Sequence, residues 1–217
     1  MIGIESHIPL DIAAPFGCGL QTGAGAVLNT LALAAGSTLV VFGTGAVGIA
    51  AVLAAVIAGA TMIIGVDCVA DRLELARELG ATHTIDVTTT DAVGEVNRLS
   101  RHGADFALET TGVPAVLRSA VDCLAPRGTA GVIGVPKVGT EVALDVNVIL
   151  TGGRVVRGVV EGDSVPQLLI PQLIRYWEEG RFPVERLIRH YDFDQINEAA
   201  ADAEQGRVIK PVLKMRS

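Results

Sequence analysis

Charged residues are scarce in this chain of 217 residues, and their distribution excludes several classes of function. Asp, Glu, Lys and Arg make up 19% of the sequence, the formal net charge is −7, and there is no run of Lys or Arg. A surface that binds nucleic acid or an anionic membrane needs clustered positive charge. We therefore expect neither kind of partner, and a small ligand fits the composition better.

Cysteine is also rare. Cys18, Cys68 and Cys123 are far apart in the sequence and odd in number, which argues against a disulfide framework and against a C-x-x-C metal site. The first seven residues contain no basic region ahead of an apolar one, which a secretory signal would require. These features predict a cytoplasmic protein.

Between Asp11 and Asp67 the chain contains no charged residue and no histidine. Such a stretch could be a membrane segment. However, glycines interrupt it repeatedly, Ala dominates over Leu and Phe, and basic flanks are missing. A parallel sheet covered by helices on both faces also reads as unbroken apolar runs. We therefore predict a buried sheet rather than a membrane span.

The most informative segment follows the apolar run Val40-Val41-Phe42, which ends in G-x-G-x-x-G and continues into an Ala-rich helical stretch. In dinucleotide-binding folds the first glycine allows a tight turn, the second lets the backbone approach a pyrophosphate, and the third lets strand and helix pack closely. An ordinary strand-to-helix turn is the alternative. The motif predicts a phosphate site at the N-terminus of the helix, formed by Gly43, Gly45, Ala46, Val47 and Gly48.

A second apolar run, residues 62–66, ends at Asp67, about twenty residues beyond the glycine motif. At that position a carboxylate can accept hydrogen bonds from the adenosine ribose hydroxyls, although a plain loop carboxylate is the alternative. An acid at Asp67 would repel a 2′-phosphate, and the next residue is Cys68 rather than Arg. The sequence therefore predicts NAD as the preferred cofactor.

Apolar periodicity predicts alternating strands and helices from Leu39 onward. The predicted strands are 39–42, 62–66, 83–86, 104–108, 129–134 and 154–159, and the predicted helices are 46–58, 69–79, 91–101, 113–124 and 166–179. Residues 126–128 are expected to form a turn before a strand. The alternation implies an α/β fold, a Rossmann-type doubly wound parallel sheet of about six strands, within a domain spanning 9–180. Residues 181–217 read as a separate C-terminal segment that a closed dinucleotide fold does not need, with strand-like 187–188, an amphipathic helix over 193–204 and the stretch 210–213.

The segment Gly17-Cys18-Gly19-Leu20-Gln21-Thr22-Gly23, followed by the glycine motif, makes the chain resemble the zinc-dependent medium-chain alcohol dehydrogenases, and particularly their aryl-alcohol dehydrogenase-like branch. The resemblance extends from roughly Pro9 to the C-terminus. Further matching segments are Val66-Asp67, Glu109-Thr110-Thr111-Gly112, Gly134-Val135-Pro136, Asp163-Ser164-Val165-Pro166 and Gly206-Arg207-Val208-Ile209-Lys210-Pro211-Val212.

The resemblance implies several further roles. Arg72 would contact the adenosine ribose, Lys210 the pyrophosphate, and Cys18 would be a zinc thiolate. The alternatives without a ligand are an exposed helix charge for Arg72, a solvated lysine for Lys210 and a small buried apolar residue for Cys18. Val47 would pack behind the nicotinamide, and the nicotinamide and its ribose would be lined mostly through backbone by Thr22, Thr110, Gly134, Val135 and Val160.

The resemblance also implies a partner domain that this sequence does not contain. Family members carry an N-terminal catalytic domain of about 150 residues that supplies the other zinc ligands and against which residues 181–217 would pack. The four histidines here show no H-x-x-x-H spacing. We therefore expect the chain to be the NAD-binding portion of an enzyme that transfers a hydride between an aryl alcohol and NAD, inactive alone and with no catalytic residue identified.

The sequence is compatible with two other functions. One is a non-catalytic NAD-binding or regulatory module, which would self-associate through the last strand, near 154–160, as family members do. The other is an S-adenosylmethionine methyltransferase, which also combines a glycine-rich loop with an acid on the next strand. That reading leaves the matches around Cys18 and Gly134 unexplained. We expect a homo-oligomer both for the NAD-binding module and for the dehydrogenase.

Overall fold

Six parallel strands form the central sheet of the chain, which is described for residues 3–215 in a computed structural model. Residues 1, 2, 216 and 217 lie outside the described residues. The prediction that the first seven residues are not a secretory signal and the predicted segment 181–217 therefore fall partly outside them. The strands are β1 Thr38–Phe42, β2 Met62–Asp67, β3 His83–Asp86, β4 Ala104–Glu109, β5 Leu124–Val132 and β6 Val155–Gly158. Their order in the sheet is β3-β2-β1-β4-β5-β6, and every pairing is parallel. This is the doubly wound order of the Rossmann fold, so the predicted fold class is confirmed.

Helices cover both faces of this sheet. The helices of the described residues are α1 Leu10–Ala13, α2 Gly19–Gly25, α3 Ala46–Ala58, α4 Ala70–Glu78, α5 Ala92–Ser100, α6 Pro114–Asp122, α7 Val146–Gly152, α8 Pro166–Glu178 and α9 Ile196–Glu204, the last of which packs with the C-terminal strands instead. None of the helices between residues 3 and 215 combines the length and apolarity needed to cross a bilayer.

The two faces of the sheet have separate cores. In β1, Leu39 and Val41 join a cluster with residues of α2, α3 and α8, whereas Val40 and Phe42 join a cluster with residues of α5 and α6. Successive side chains of a strand point to opposite faces, so both faces of β1 need apolar residues. This explains the long charge-free stretch, because β1 lies in the middle of the sheet.

Residues after α8 form a smaller unit. Strands β7 Ile188–Asp192 and β8 Lys210–Lys214 pair in parallel, and α9 lies between them in sequence. The Tyr191 hydroxyl donates a hydrogen bond of 2.6 Å to Asp202 on α9. The Phe182 ring, which precedes this unit, lies 6.1 Å from that of Phe16 and belongs to the same core as α2 and α3.

The structure differs from the predictions at two places. Strand β5 begins at Leu124 instead of 129 and runs through the predicted turn 126–128, where the register shifts and Arg127 has a φ of 66°. Helix α7 was not predicted, although Asp145 caps it by accepting from Asn147 N–H at 2.8 Å. Residues 26–30 form a π-helix that continues α2.

Candidate functional site

The glycine motif forms the turn between β1 and α3. Gly43 has a φ of 89°, in the left-handed region that favours glycine, and its N–H donates to the Val66 carbonyl over 2.8 Å. A Cβ atom on Gly48 would lie 1.9 Å from the Gly43 carbonyl oxygen. The first and third glycines therefore let the helix begin directly against the end of the strand.

The N-terminus of α3 opens into a cleft without a side-chain cap. Gly45 is the N-cap residue, no side chain accepts from the first turn, and no acidic residue lies in that turn. The first N–H groups of a helix lack partners within the helix and carry a partial positive charge. This terminus is thus suited to an anion such as a phosphate.

Asp67 ends β2 on the other side of the same cleft. Its Oδ2 atom accepts from the Thr44 N–H at 2.7 Å and from the Thr44 hydroxyl at 3.0 Å. Its Oδ1 atom accepts from the N–H groups of Cys68 and Val69 at 2.8 and 3.0 Å. The side chain is thus held by four donors and sits at the rim of the cleft with only a small exposed part.

The cleft has a volume of about 480 Å³ and lies outside the carboxyl ends of β1, β2 and β4. At this point of the sheet the strand order reverses, which is where doubly wound folds bind ligands. Eight of the predicted site residues line it: Gly43, Gly45, Ala46, Val47, Gly48, Asp67, Arg72 and Thr110. Seven further residues line the cleft and were not predicted as site residues: Phe42, Val66, Cys68, Val87, Thr111, Val113 and Val116.

Arg72 lies on α4 between this cleft and a second, smaller cavity. It lines both, and its Nε atom is buried with no hydrogen-bond partner among the described residues. The second cavity, of about 210 Å³, is bounded by the chain just before β8, at residues 206–209. Arg72 is therefore a cation at the Asp67 end of the cleft whose hydrogen-bonding capacity is not fully used within the protein.

Thr110 and Glu109 hold the loop after β4. The Thr110 hydroxyl donates to the carbonyls of Phe42 and Gly43 over 2.8 and 3.0 Å, which ties this loop to the glycine turn. Glu109 is buried, and its Oε1 atom accepts from the N–H groups of Thr111 and Gly112 at 2.6 and 2.9 Å. These contacts shape the wall of the cleft.

A separate polar cluster surrounds Cys18 at the start of α2. The Glu161 carboxylate lies 3.8 Å from the Cys18 sulfur, 2.8 Å from Gln21 Nε2 and 3.4 Å from the Thr22 hydroxyl. Glu161, Gly162 and Asp163 all have left-handed backbones, with φ of 49°, 67° and 46°. Cys18 is exposed, so the alternative reading of it as a small buried apolar residue is wrong.

The other predicted site residues lie outside the 480 Å³ cleft. Thr22 is buried in the cluster around Glu161, and Gly134 lines a small cavity beside Glu109. Val135 and Val160 are exposed, and Lys210 begins β8, where it pairs with Ile188. Five of the thirteen predicted cofactor residues are therefore not brought to this cleft by the described chain.

The described residues do not form a zinc site by themselves. Catalytic zinc takes three protein ligands and keeps a fourth position open. Within residues 3–215, no group of three His, Cys, Asp or Glu side chains could hold a metal ion. Cys18 and Glu161 provide two candidate ligands at most.

Comparison with known proteins agrees with this geometry. A model of the family described as zinc-binding dehydrogenase matches residues 46–176, more than half of the chain. The chain belongs to this family. The predicted resemblance to zinc-dependent alcohol dehydrogenases is thereby confirmed. The matched range begins at Ala46 within the glycine motif, contains Asp67 and strands β2 to β6, and ends within α8.

Individual relatives match nearly the whole chain but only part of their own length. A geraniol dehydrogenase from Castellaniella defragrans is 40% identical over 213 residues, which is 98% of this chain and 57% of that protein. The structure of an alcohol dehydrogenase zinc-binding domain protein from Burkholderia ambifaria superposes with a TM-score of 0.98 at 52% identity, and covers 100% of this chain and 58% of its own. The structure of benzyl alcohol dehydrogenase from Acinetobacter calcoaceticus superposes with a TM-score of 0.98 at 44% identity, and the match covers 99% of this chain and 59% of that protein. The chain thus spans somewhat more than half of the length of these relatives.

Proposed function

We propose that this chain is the NAD-binding portion of a zinc-dependent alcohol dehydrogenase. The observation that supports this most directly is the pairing of an uncapped α3 N-terminus with the Asp67 carboxylate across one cleft. A dinucleotide needs both features, because its pyrophosphate is an anion and its adenosine ribose offers two hydroxyl donors. The relatives named as dehydrogenases of geraniol and benzyl alcohol support an alcohol as the substrate.

Each part of the cofactor has a proposed contact. The pyrophosphate lies on the backbone from Gly43 to Gly48, and the adenosine ribose lies between Asp67 and Arg72. The nicotinamide end extends past Val47 toward the cluster around Cys18, where it meets Thr22, Thr110, Gly134, Val135 and Val160. Lys210, which begins β8 outside this cleft, is proposed to contact the pyrophosphate from that strand.

The reaction we propose is the transfer of a hydride between an alcohol carbon and the nicotinamide ring. In the complete enzyme Cys18 is the ligand that this chain contributes to zinc. Two candidate ligands fall short of the three that catalytic zinc takes, so no zinc-dependent step is assigned to the described residues. Residues 181–217 belong with the catalytic part, and we propose a cytoplasmic location and a small alcohol or aldehyde as the partner of the complete enzyme.

Calorimetric titration of the purified chain with NADH and, separately, NADPH tests the proposed function. We expect saturable binding of NADH and weaker binding of NADPH, because the fixed anionic Asp67 opposes a 2′-phosphate. Asp67→Ala is expected to reduce this preference. Binding of neither cofactor would contradict the proposal. S-adenosylmethionine in the same titration tests the methyltransferase alternative, which saturable binding would support.

A second candidate is a non-catalytic NAD-binding module that self-associates through β6. All four residues of β6 are exposed, and Val146 and Leu150 on the adjacent α7 are among the most exposed apolar side chains. An uncovered strand edge with exposed apolar residues favours pairing with another chain. The same edge would serve a homo-oligomeric dehydrogenase.

Substitution of Val156 by proline tests association through this edge. Val159 N–H donates to Val132 at 2.9 Å, so strand alternation directs the Val156 N–H away from β5. Val156→Pro therefore removes an outward donor without breaking the sheet. Light scattering should show an oligomer for the parent chain and for Val156→Thr, and a smaller species for Val156→Pro. A monomeric parent chain would contradict self-association.

A further inference from the structure

Thr44 occupies the first variable position of the glycine motif and is fully buried. It donates twice to the same carboxylate oxygen of Asp67, through its N–H at 2.7 Å and through its hydroxyl at 3.0 Å. Any residue could supply the backbone donor, but only a hydroxyl side chain supplies the second at this place. One of the four hydrogen bonds that hold Asp67 therefore depends on the identity of residue 44, and the other three come from backbone N–H groups.

Gly65 provides the space that Thr44 needs. It lies on β2, two residues before Asp67, and a Cβ atom there would come within 3.1 Å of the Thr44 methyl carbon. Its other neighbours would tolerate that atom, since the Ala76 Cβ would be 3.5 Å away and the Thr84 methyl 3.8 Å away. The Thr44 side chain thus has its methyl group beside Gly65 and its hydroxyl on Asp67, and a side chain at residue 65 would crowd that methyl group.

We propose that Thr44 is a positioning residue that sets the cofactor preference of this site by holding the Asp67 carboxylate toward the ribose. This inference rests on the proposed NAD-binding function. A fixed carboxylate presents acceptors to a ribose diol and negative charge to a 2′-phosphate. A carboxylate that has lost the Thr44 hydroxyl has more rotational freedom, and can turn away from a phosphate while Arg72 of the same cleft remains.

The first test compares Thr44→Val with Thr44→Ser by calorimetry with NADH and NADPH. Valine keeps the shape and the backbone donor but removes the hydroxyl, whereas serine keeps the hydroxyl and removes the methyl group. Losing one hydrogen bond to a charged group should weaken NADH binding on the order of 3- to 10-fold. NADPH binding should change less than about twofold, so the preference falls, whereas Thr44→Ser keeps the parent ratio.

The second test uses Gly65→Ala, which acts on Thr44 through its methyl group. The added Cβ would lie 3.1 Å from the Thr44 methyl carbon, so it should shift that side chain by a few tenths of an ångström and reduce the NADH preference in the same direction as Thr44→Val, by a smaller factor. The double variant Gly65→Ala with Thr44→Ser has no methyl group at the point of contact, so the preference should return. Such non-additivity is expected only for residues that act through a shared contact.

The outcomes separate this inference from the proposed function. If the parent chain binds neither cofactor, the proposed function fails, and the inference falls with it. If the parent chain prefers NADH but Thr44→Val keeps that preference, or weakens both cofactors equally, the positioning role is wrong. Thermal unfolding of each variant without ligand identifies any variant that does not fold. If Thr44→Val does not fold, the comparison of Gly65→Ala with the double variant Gly65→Ala and Thr44→Ser tests the positioning role of Thr44.

Discussion

At the scale of single residues, the three cysteines differ in what surrounds them. Cys18 and Cys68 are exposed, and Cys68 lines the cleft beside Asp67. Cys123 is buried, and its burial raises the pKa of the thiol to about 12, which leaves almost no reactive thiolate at neutral pH. Their reactivity toward an alkylating reagent can therefore report on the state of the cleft.

We predict that iodoacetamide modifies Cys18 and Cys68 in the folded chain and leaves Cys123 unmodified. Saturating NADH should slow the modification of Cys68 on the order of tenfold, because the adenosine end would cover it. Mass spectrometry of peptides after timed labelling measures each site, and labelling in denaturant shows that Cys123 reacts once exposed. A Cys68 rate that NADH leaves unchanged would place the cofactor elsewhere.

Asp202 on α9 supports the C-terminal unit through its hydrogen bonds. The Tyr191 hydroxyl first, and then Arg207, lower the pKa of this carboxyl below its ordinary value. Because the folded-state pKa lies below the unfolded value of about 3.9, Asp202 stabilises the fold above that pH. This contribution is lost as the pH falls through the folded-state pKa.

Asp202→Asn should therefore lower the melting temperature by a few degrees at pH 7, and the difference from the parent chain should shrink progressively below about pH 4. Thermal unfolding followed by circular dichroism across this pH range measures both values. Glu204→Gln, which changes an exposed carboxylate on the same helix, is the matched control and should have little effect. A difference that persists unchanged at low pH would contradict the role of the ionised carboxylate.

The sequence predicted the residues of the cleft that act through their backbone or at the end of a strand. Gly43, Gly48 and Asp67 were found because motif spacing ties each to a strand or helix terminus. Thr44 was missed because the variable positions of the motif carry no side-chain requirement. Its role depends on Gly65, which is distant in sequence and becomes adjacent only when β1 and β2 pair.

At the scale of elements, the glycine motif separates folding from binding at two positions. A Cβ on Gly48 would collide with the Gly43 carbonyl, whereas a Cβ on Gly45 would meet nothing within 4 Å. Gly45 has an ordinary φ of −73°, so alanine can adopt its backbone, and the new methyl group would extend into the space proposed for the pyrophosphate.

We predict that Gly45→Ala folds with an unchanged melting temperature but binds NADH at least about tenfold more weakly. Gly48→Ala should instead lower the free energy of unfolding by about 1–3 kcal/mol, because the overlap forces the backbone to move. Calorimetry and thermal unfolding of the two variants distinguish these effects. Equal loss of stability in both would mean that the two glycines serve packing alone.

Element positions followed from the sequence better than element ends. The central strands were predicted to within one or two residues because both of their faces are buried. Strand β5 was predicted too short, since Pro126 and Arg127 signal a turn although the strand continues through an irregular register. Helix α7 was missed because it buries no side chain completely, so its sequence lacks a strong apolar pattern.

At the scale of the whole molecule, the polar groups proposed to serve the chemistry are divided between two places. The cleft beside Asp67 is the proposed place of the adenosine end of the cofactor, and the cluster around Cys18 lies at the proposed nicotinamide end. The second place brings together Cys18, Gln21, Thr22 and Glu161, in which only the thiol and the carboxylate can ligate zinc. An alcohol would meet an incomplete set of ligands there.

We therefore predict that the purified chain oxidises neither benzyl alcohol nor geraniol in the presence of NAD, with or without added zinc. Binding of NADH should nevertheless be retained, because the glycine turn, Asp67 and Arg72, which are the residues proposed for the pyrophosphate and the adenosine ribose, line the cleft of this chain. Absorbance at the NADH band measures turnover, and Gly45→Ala at a limiting NAD concentration provides a control in which the proposed cofactor site is weakened. NADH formation that is proportional to the concentration of the parent chain and absent in Gly45→Ala would show that this chain completes the reaction by itself. The assignment of cofactor binding to the cleft and of an incomplete ligand set to the cluster around Cys18 would then be wrong. Glu161 would be the first residue to substitute in search of the catalytic group.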